Sequence, residues 1–246
     1  MSRPTPAQTT FELPPSIVES VVRSPYNGPL IAAAAQLWIR PGDQVLDVTY
    51  GKGLFWTHTR PEGLEIPPPG TDFRALPYPA ASWDVVVFDP PYIAQGGRET
   101  SGLPDFLERY GLKDCPATIA ELEALIIAGV TECARVLAPR GRLFVKCMDY
   151  ISGGRFRRGP KLVTEAAETT GLEEVDEFIH HSGVGAQPAT TRSGTPRGQV
   201  HSRRAHSFLC VYQRPPIWRK VPDAVGSSAR HVARAGSSTR STERSG

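Results

Sequence analysis

Asp89-Pro90-Pro91-Tyr92 is the run in which residue type and spacing most constrain chemistry. Two successive prolines fix two φ angles and remove two backbone donors, so the chain must leave the preceding segment as a rigid extended piece. What such a piece presents is acceptors, a carboxylate and backbone carbonyls. They suit a substrate group that offers N–H donors, such as the exocyclic amine of a nucleobase. Tyr92 adds a flat face on which a base can stack. The plainer use of the same residues is a strand terminator followed by a core tyrosine. A second run, Asp47-Val48-Thr49-Tyr50-Gly51-Lys52-Gly53, places an acid before two glycines. Gly51 and Gly53 carry no Cβ, so the backbone can turn sharply there and approach a ligand. Asp47 can accept from an amino or hydroxyl group. Taken alone, this run is equally a plain strand-to-helix turn. No third glycine follows two residues on, which argues against a dinucleotide fingerprint, and no phosphate-cradling G-x-x-x-x-G-K-[ST] occurs.

Both runs must be carried by something. Residues 44–49 (QVLDVT) read as a short apolar strand and 83–89 (WDVVVFD) as a β-branched strand buried on both faces. Residues 142–147, 172–181 and 207–213 read as further strands. Helices are expected over 16–23 and 28–39, the second stopped by Pro41-Gly42, and over 118–137 and 161–170. The longest of these carries Leu122, Leu125, Ile126, Val130 and Cys133 on one stripe. Alternating strands and helices imply an α/β fold, a mostly parallel sheet with helices on both faces. In such sheets ligands sit outside the carboxyl ends of the strands, which is where both runs fall.

The 246 residues are 39% apolar and 22% charged, enough to fill a core, which excludes wholesale disorder. Charge is unevenly spread. Residues 1–182 carry 17 basic and 23 acidic side chains, a net of −6, whereas residues 183–246 carry 11 and 2, a net of +9. A basic last quarter suits a polyanionic partner, although the final thirty residues read more readily as a solvated tail. Residues 1–15 are expected to be a flexible lead-in, 16–215 the folded domain and 216–246 a disordered basic tail. No internal repeat is visible. No apolar run is long enough to span a membrane and no secretory signal is read at the N-terminus. The four cysteines are far apart without metal-type spacing, and His180-His181 lacks a third ligand. No metal site is expected, and a reducing cytoplasm fits.

With DPPY after one buried strand and D-x-T-x-G-x-G after an earlier one, the sequence resembles the S-adenosylmethionine-dependent amino methyltransferases. These modify N6 of adenine or N4 of cytosine in DNA, and related enzymes act on RNA. The resemblance runs from about Ser24 to Arg214. It implies a Rossmann-like class I methyltransferase fold, a mostly parallel seven-stranded sheet whose last strand is antiparallel. It implies S-adenosylmethionine as cofactor, held by Asp47, Thr49, Gly51 and Gly53. The segment 24–43 resembles the one that helps hold the methionine end. Thr71 to Pro77 resembles a further cofactor element, with Asp72 accepting from the cofactor's adenine amine and Phe73 lying against its ring. The family usually has a second strand ending in an acid that grips the ribose. Here about twenty residues, including Pro61 and Pro67-Pro68-Pro69, separate Gly53 from Asp72. That strand is expected to be short or irregular, with Glu65 its placed acid and Glu62 a poorer candidate.

The resemblance makes Asp89, Pro90, Pro91 and Tyr92 the catalytic set. Asp89 and the Pro90 carbonyl would accept the amine hydrogens of a flipped-out base, and Tyr92 would stack on it. DPPY leans toward adenine, since cytosine enzymes more often carry serine in place of the aspartate. Residues 93–116, with Arg98, are a candidate lid. Arg192, Arg197, Arg203 and Arg204, set between two strands, are candidates for phosphate contacts, with Arg155, Arg157 and Arg158 adding to them. Lys146 and Asp149 flank the end of the strand at 142–147 and are candidates for lining the base pocket. An RNA amino methyltransferase and a catalytically silent nucleic-acid-binding member of the fold are the alternatives. Without a separate recognition domain, sequence specificity must be low, come from the loops, or come from a partner subunit.

Overall fold

The computed structural model describes residues 17–92, 107, 110, 112, 115–152, 155–182 and 206–216. The expected lead-in at 1–15 and, beyond Pro216, the expected tail lie outside them. β4 (Trp83–Phe88) is the central strand, and its sequence explains why. Val85 and Val87 point to one buried cluster and Val86 and Phe88 to the other, so both faces of the strand are covered. β2 (Val45–Asp47) and β5 (Leu137–Met148) flank β4 in parallel. Outward from them lie β3 (Leu64–Glu65) beside β2, and β9 (His206–Gln213), β8 (Glu173–His181) and β1 (Val21–Arg23) beyond β5. The sheet order is β1-β8-β9-β5-β4-β2-β3. β9 runs antiparallel to both neighbours, and the other pairs are parallel. This is the mostly parallel seven-stranded sheet with an antiparallel last strand that the sequence resemblance implies. Two further short strands, β6 (Tyr150–Ser152) and β7 (Arg155–Arg157), form a separate hairpin.

Helix α1 (Gly28–Trp38) buries Leu30, Ile31 and Ala34 on one face of the sheet. Helices α2 (Ile119–Val136) and α3 (Gly159–Thr169) cover the other. α2 buries the five residues that its periodicity singles out. Gly129 lies where this helix comes down on the strand: a Cβ there would stand 2.5 Å from Phe88 Cζ and 2.8 Å from Phe73 Cδ2. Thr118 starts α2 with a capping box. Its hydroxyl accepts from Glu121 N at 3.2 Å, and the Glu121 carboxylate accepts in return from Thr118 N at 3.4 Å. Thr118→Ala is expected to cost about 1 kcal/mol, read as a fall in Tm of about 3 °C in thermal denaturation.

One expected element is different. Residues 16–23 are expected to form a helix, but Val21–Arg23 is a strand, paired in parallel with Ile179–His181. β-branched Val21 and Val22 favour extended backbone, and the edge of β8 needs a partner for its backbone groups. His180 secures the pairing. It is buried, with Nε2 on Ser24 O at 2.8 Å and Nδ1 on Ser207 Oγ at 3.1 Å. Nε2 donates to the carbonyl and Nδ1 accepts from the hydroxyl, and burial lowers the pKa, so the ring stays neutral. No helix among the described residues is long and apolar enough to cross a membrane.

Candidate active site at the strand ends

β2 ends at Asp47, which is 2% exposed. The chain then turns through Gly51 (φ 53°) and Gly53 (φ 68°), both in the left-handed region that side chains avoid. Gly53 N donates to Tyr50 O, and a 3-10 turn (Leu54–Thr57) follows. Asp47 organises this loop. Its Oδ1 accepts from Thr49 N at 3.0 Å and its Oδ2 from the Trp56 indole at 2.7 Å. The expectation that Asp47 meets a ligand is corrected: the carboxylate is sequestered and both oxygens serve the turn. Trp56 was missed, although an aromatic with one N–H three residues after Gly53 is a ready partner for a buried acid.

Burial pushes the Asp47 carboxyl up to about 7, against the two hydrogen bonds. A raised folded value means that the unfolded chain releases its proton first as pH rises. Asp47 therefore makes stability fall between about pH 4 and pH 7 and level off above. Between pH 5 and pH 8, wild type is expected to lose up to about 3 kcal/mol more than Asp47→Asn, measured by urea unfolding of both proteins at both values.

The two motifs are one unit. Asp47 lies opposite Val87, Val48 N donates to Val87 O at 3.0 Å, and Asp89 N donates to Thr49 Oγ1 at 2.7 Å. Thr49 is buried and spends its hydroxyl on this link. Asp89 begins where β4 ends, with its side chain 25% exposed, followed by buried Pro90 and Pro91. The Tyr92 hydroxyl lies against Asp89 Oδ1 and 2.9 Å from Lys146 O, so its one hydrogen is shared between two acceptors. Burial, then the Asp89 charge, hold the Tyr92 hydroxyl well above its ordinary pKa, so it remains a donor at neutral pH. Lys146, on β5, is 7% exposed, with Nζ 3.7 Å from Asp89 Oδ1 and 5.1 Å from the Tyr92 ring centroid. The ammonium thus stands over a ring that the sequence offered as a bare stacking face. Asp149 accepts from Gly159 N at 3.0 Å and so steadies the start of α3.

A cleft of about 390 Å3 opens beside the glycine turn. Val48, Tyr50, Gly51 and Lys52 form one wall, and Ile66 to Thr71 the other. The short second strand is present as β3, two residues long, with Glu65 exposed at its end directly before the cleft wall. Glu62 lies in the turn before it. Asp72 is held by Arg74, whose Nε and terminal nitrogen reach both carboxylate oxygens at 2.6–3.1 Å. Partial burial works against the charge there, yet the Arg74 hydrogen bonds hold the carboxyl below its ordinary pKa. Phe73 requires a correction. It is fully buried, with its ring centroid 5.0 Å from that of Phe88 and 6.1 Å from that of Tyr110, and has no face left for a cofactor ring.

Of the candidate arginines, Arg155 is exposed on β7, Arg157 lies 3.7 Å from Glu123, and Arg158 borders a second cleft beside α3. Arg98, Arg192, Arg197, Arg203 and Arg204 lie outside the described residues, as does most of 93–116. Among the described residues, one group of three metal-capable side chains lies within 4.8 Å: Glu174, Glu177 and Cys210, on β8 and β9.

No protein-family model matches the sequence, and no curated protein matches it. Solved structures show a distant likeness. TTHA0409 of Thermus thermophilus, provisionally assigned as a DNA modification methylase and solved with S-adenosyl-L-methionine, is 17% identical, with a TM-score of 0.39. The alignment covers 73% of this chain and 57% of that one, so this chain matches little more than half of its length. A SAM-dependent methyltransferase of Methanosarcina mazei is 10% identical over 73% of this chain and 95% of that one, with a TM-score of 0.39. The [4+2]-cyclase SpnF is 14% identical over 76% and 81%, with a TM-score of 0.43. A fold of this kind does not decide the reaction. The site has to.

Proposed function

We propose that the protein transfers a methyl group from S-adenosylmethionine to an exocyclic amine of a nucleobase, N6 of adenine in DNA first. The observation that carries this reading is the Thr49–Asp89 hydrogen bond. It fixes an acceptor carboxylate at the end of the central strand, beside the glycine turn that borders the cleft.

The cleft fits the cofactor in kind. Ile66 and Pro67 to Pro69 offer apolar surface for an adenine, Gly51 offers bare backbone, and Lys52 and Tyr50 supply polar groups. Glu65, directly before Ile66 at the end of β3, is the candidate for the ribose hydroxyls. When bound, the cofactor supplies an electrophilic methyl group on a sulfonium. The chain's own part is placement. Asp89 and the Pro90 carbonyl accept the two amine hydrogens, which orients the nitrogen lone pair and stabilises the positive charge that develops on nitrogen. The proton leaves after transfer, so Asp89 need not be a strong base. Tyr92 and Lys146 hold the carboxylate in place. An amine inside a duplex is out of reach, so the base must be extruded at a cost of a few kcal/mol. Basic residues 183–204 and Arg155 are the candidates for phosphate contacts, and a partner subunit is a candidate source of sequence specificity.

The test is transfer of label from S-adenosylmethionine carrying a labelled methyl group, with unmethylated DNA and total RNA in parallel. Label in DNA supports the reading as stated. Label in RNA alone moves the substrate to RNA with the same chemistry. Label in neither, with the cofactor still bound, favours a silent nucleic-acid-binding protein.

A further inference from the structure

We propose that Lys146 is a specificity-determining residue: its ammonium donates to the ring nitrogen beside the target amine, so that Asp89 and Lys146 together read an amidine edge. The inference rests on the amine-methylation reading above and names what that site selects.

Lys146 is a mostly buried cation paired with Asp89 and held loosely by it. At 7% exposure, its Nζ has the Asp89 carboxylate at 3.7 Å, beyond ordinary hydrogen-bond length, and the Tyr92 and Phe55 rings at 5.1 and 6.0 Å from their centroids. Among the described residues, no acceptor lies within hydrogen-bond distance of its three N–H groups. An ammonium carries three N–H donors, so one held this way has donors to give to an incoming acceptor. On the amine-methylation reading the substrate amine comes to Asp89, so the acceptor that reaches Lys146 is one that travels with that amine. The sheet register places the pair. Phe88 lies opposite Val145, so Asp89 and Lys146 are the next residues on adjacent strands.

Adenine carries its N6 amine beside N1, and cytosine its N4 amine beside N3. Each edge offers a donor next to an acceptor, the complement of a carboxylate next to an ammonium. On the Watson–Crick edge of guanine the amine adjoins an N1–H, which would meet Lys146 donor to donor. Lys146 also occupies the in-plane lone pair of the ring nitrogen, the more nucleophilic atom of an amidine, and so steers transfer to the amine.

The experiment compares single-turnover methyl transfer to oligonucleotides carrying adenine or 1-deazaadenine at the target (cytosine or 3-deazacytosine if cytosine is the base). Wild type and Lys146→Met are assayed, with cofactor affinity measured separately. Wild type is expected to be about 10- to 100-fold slower on the deaza base. Lys146→Met is expected to be slow on both, with their ratio near one and cofactor affinity unchanged. A variant that keeps the wild-type ratio overturns the inference. So does one that loses cofactor affinity while keeping that ratio, which would give Lys146 to an acceptor on the cofactor. If Lys146→Met does not fold, the wild-type ratio decides alone, and equal rates on the two bases overturn the inference. Wild type that methylates no nucleobase amine overturns the underlying reading itself, an outcome separate from these.

Discussion

Asp89→Asn is expected to lower the rate of methyl transfer by about 10²- to 10³-fold while leaving S-adenosylmethionine affinity unchanged. Asparagine keeps the shape and one acceptor for the Tyr92 hydroxyl. It removes the charge that balances a positive nitrogen in the transition state, and it puts a donor where the substrate amine needs an acceptor. The loss should fall on kcat, because the missing interaction strengthens as charge develops. The same substitution also takes the counter-charge from Lys146 at 3.7 Å. Unfolding of the variant should therefore be measured beside its kinetics. A well-folded Asp89→Asn with the wild-type rate removes Asp89 from the reaction. Equal loss of cofactor binding would give Asp89 to the cofactor cleft instead.

Phe73→Ala is expected to cost about 3–5 kcal/mol of stability and to lower Tm by about 10 °C. Phe73 is fully buried between Phe88, Tyr110 and α2, and its ring is one of those that a Cβ at Gly129 would strike. Removing it leaves a cavity at the junction of β4 and α2, beneath the strand that carries Asp89. Thermal and urea unfolding of the variant check this. A platform for the cofactor ring behaves the other way: stability would stay near wild type and cofactor affinity would fall.

Much of the fold is legible because its signals are local. The run at β4 alternates between two buried clusters, so only a strand covered on both faces suits it. The stripe and capping box of α2 announce a helix within residues 118–136 alone. β1 is not local in this sense. Val21 pairs with Ile179, and nothing within 16–23 reveals that a strand edge so distant in sequence needs covering. The candidate site divides in the same way. Asp89-Pro90-Pro91-Tyr92 and the glycine turn are contiguous runs, and the fold sets them side by side at the strand ends. What Asp47 and Phe73 do depends on burial, which is decided by Trp56 in one case and by α2 and Tyr110 in the other. Lys146 is legible as a candidate at the end of its strand, but its pairing with Asp89 appears only with the β4–β5 register.

The most direct test of the central claim locates the methyl group. Wild type and Asp89→Asn are incubated with labelled S-adenosylmethionine and unmethylated nucleic acid, the product is digested, and each labelled nucleoside is identified by mass spectrometry. The account predicts label on an exocyclic nitrogen, N6-methyladenine first and N4-methylcytosine otherwise, with Asp89→Asn reduced to a trace. Label on a ring nitrogen, a ring carbon or a ribose oxygen, or equal label from the variant, would contradict it.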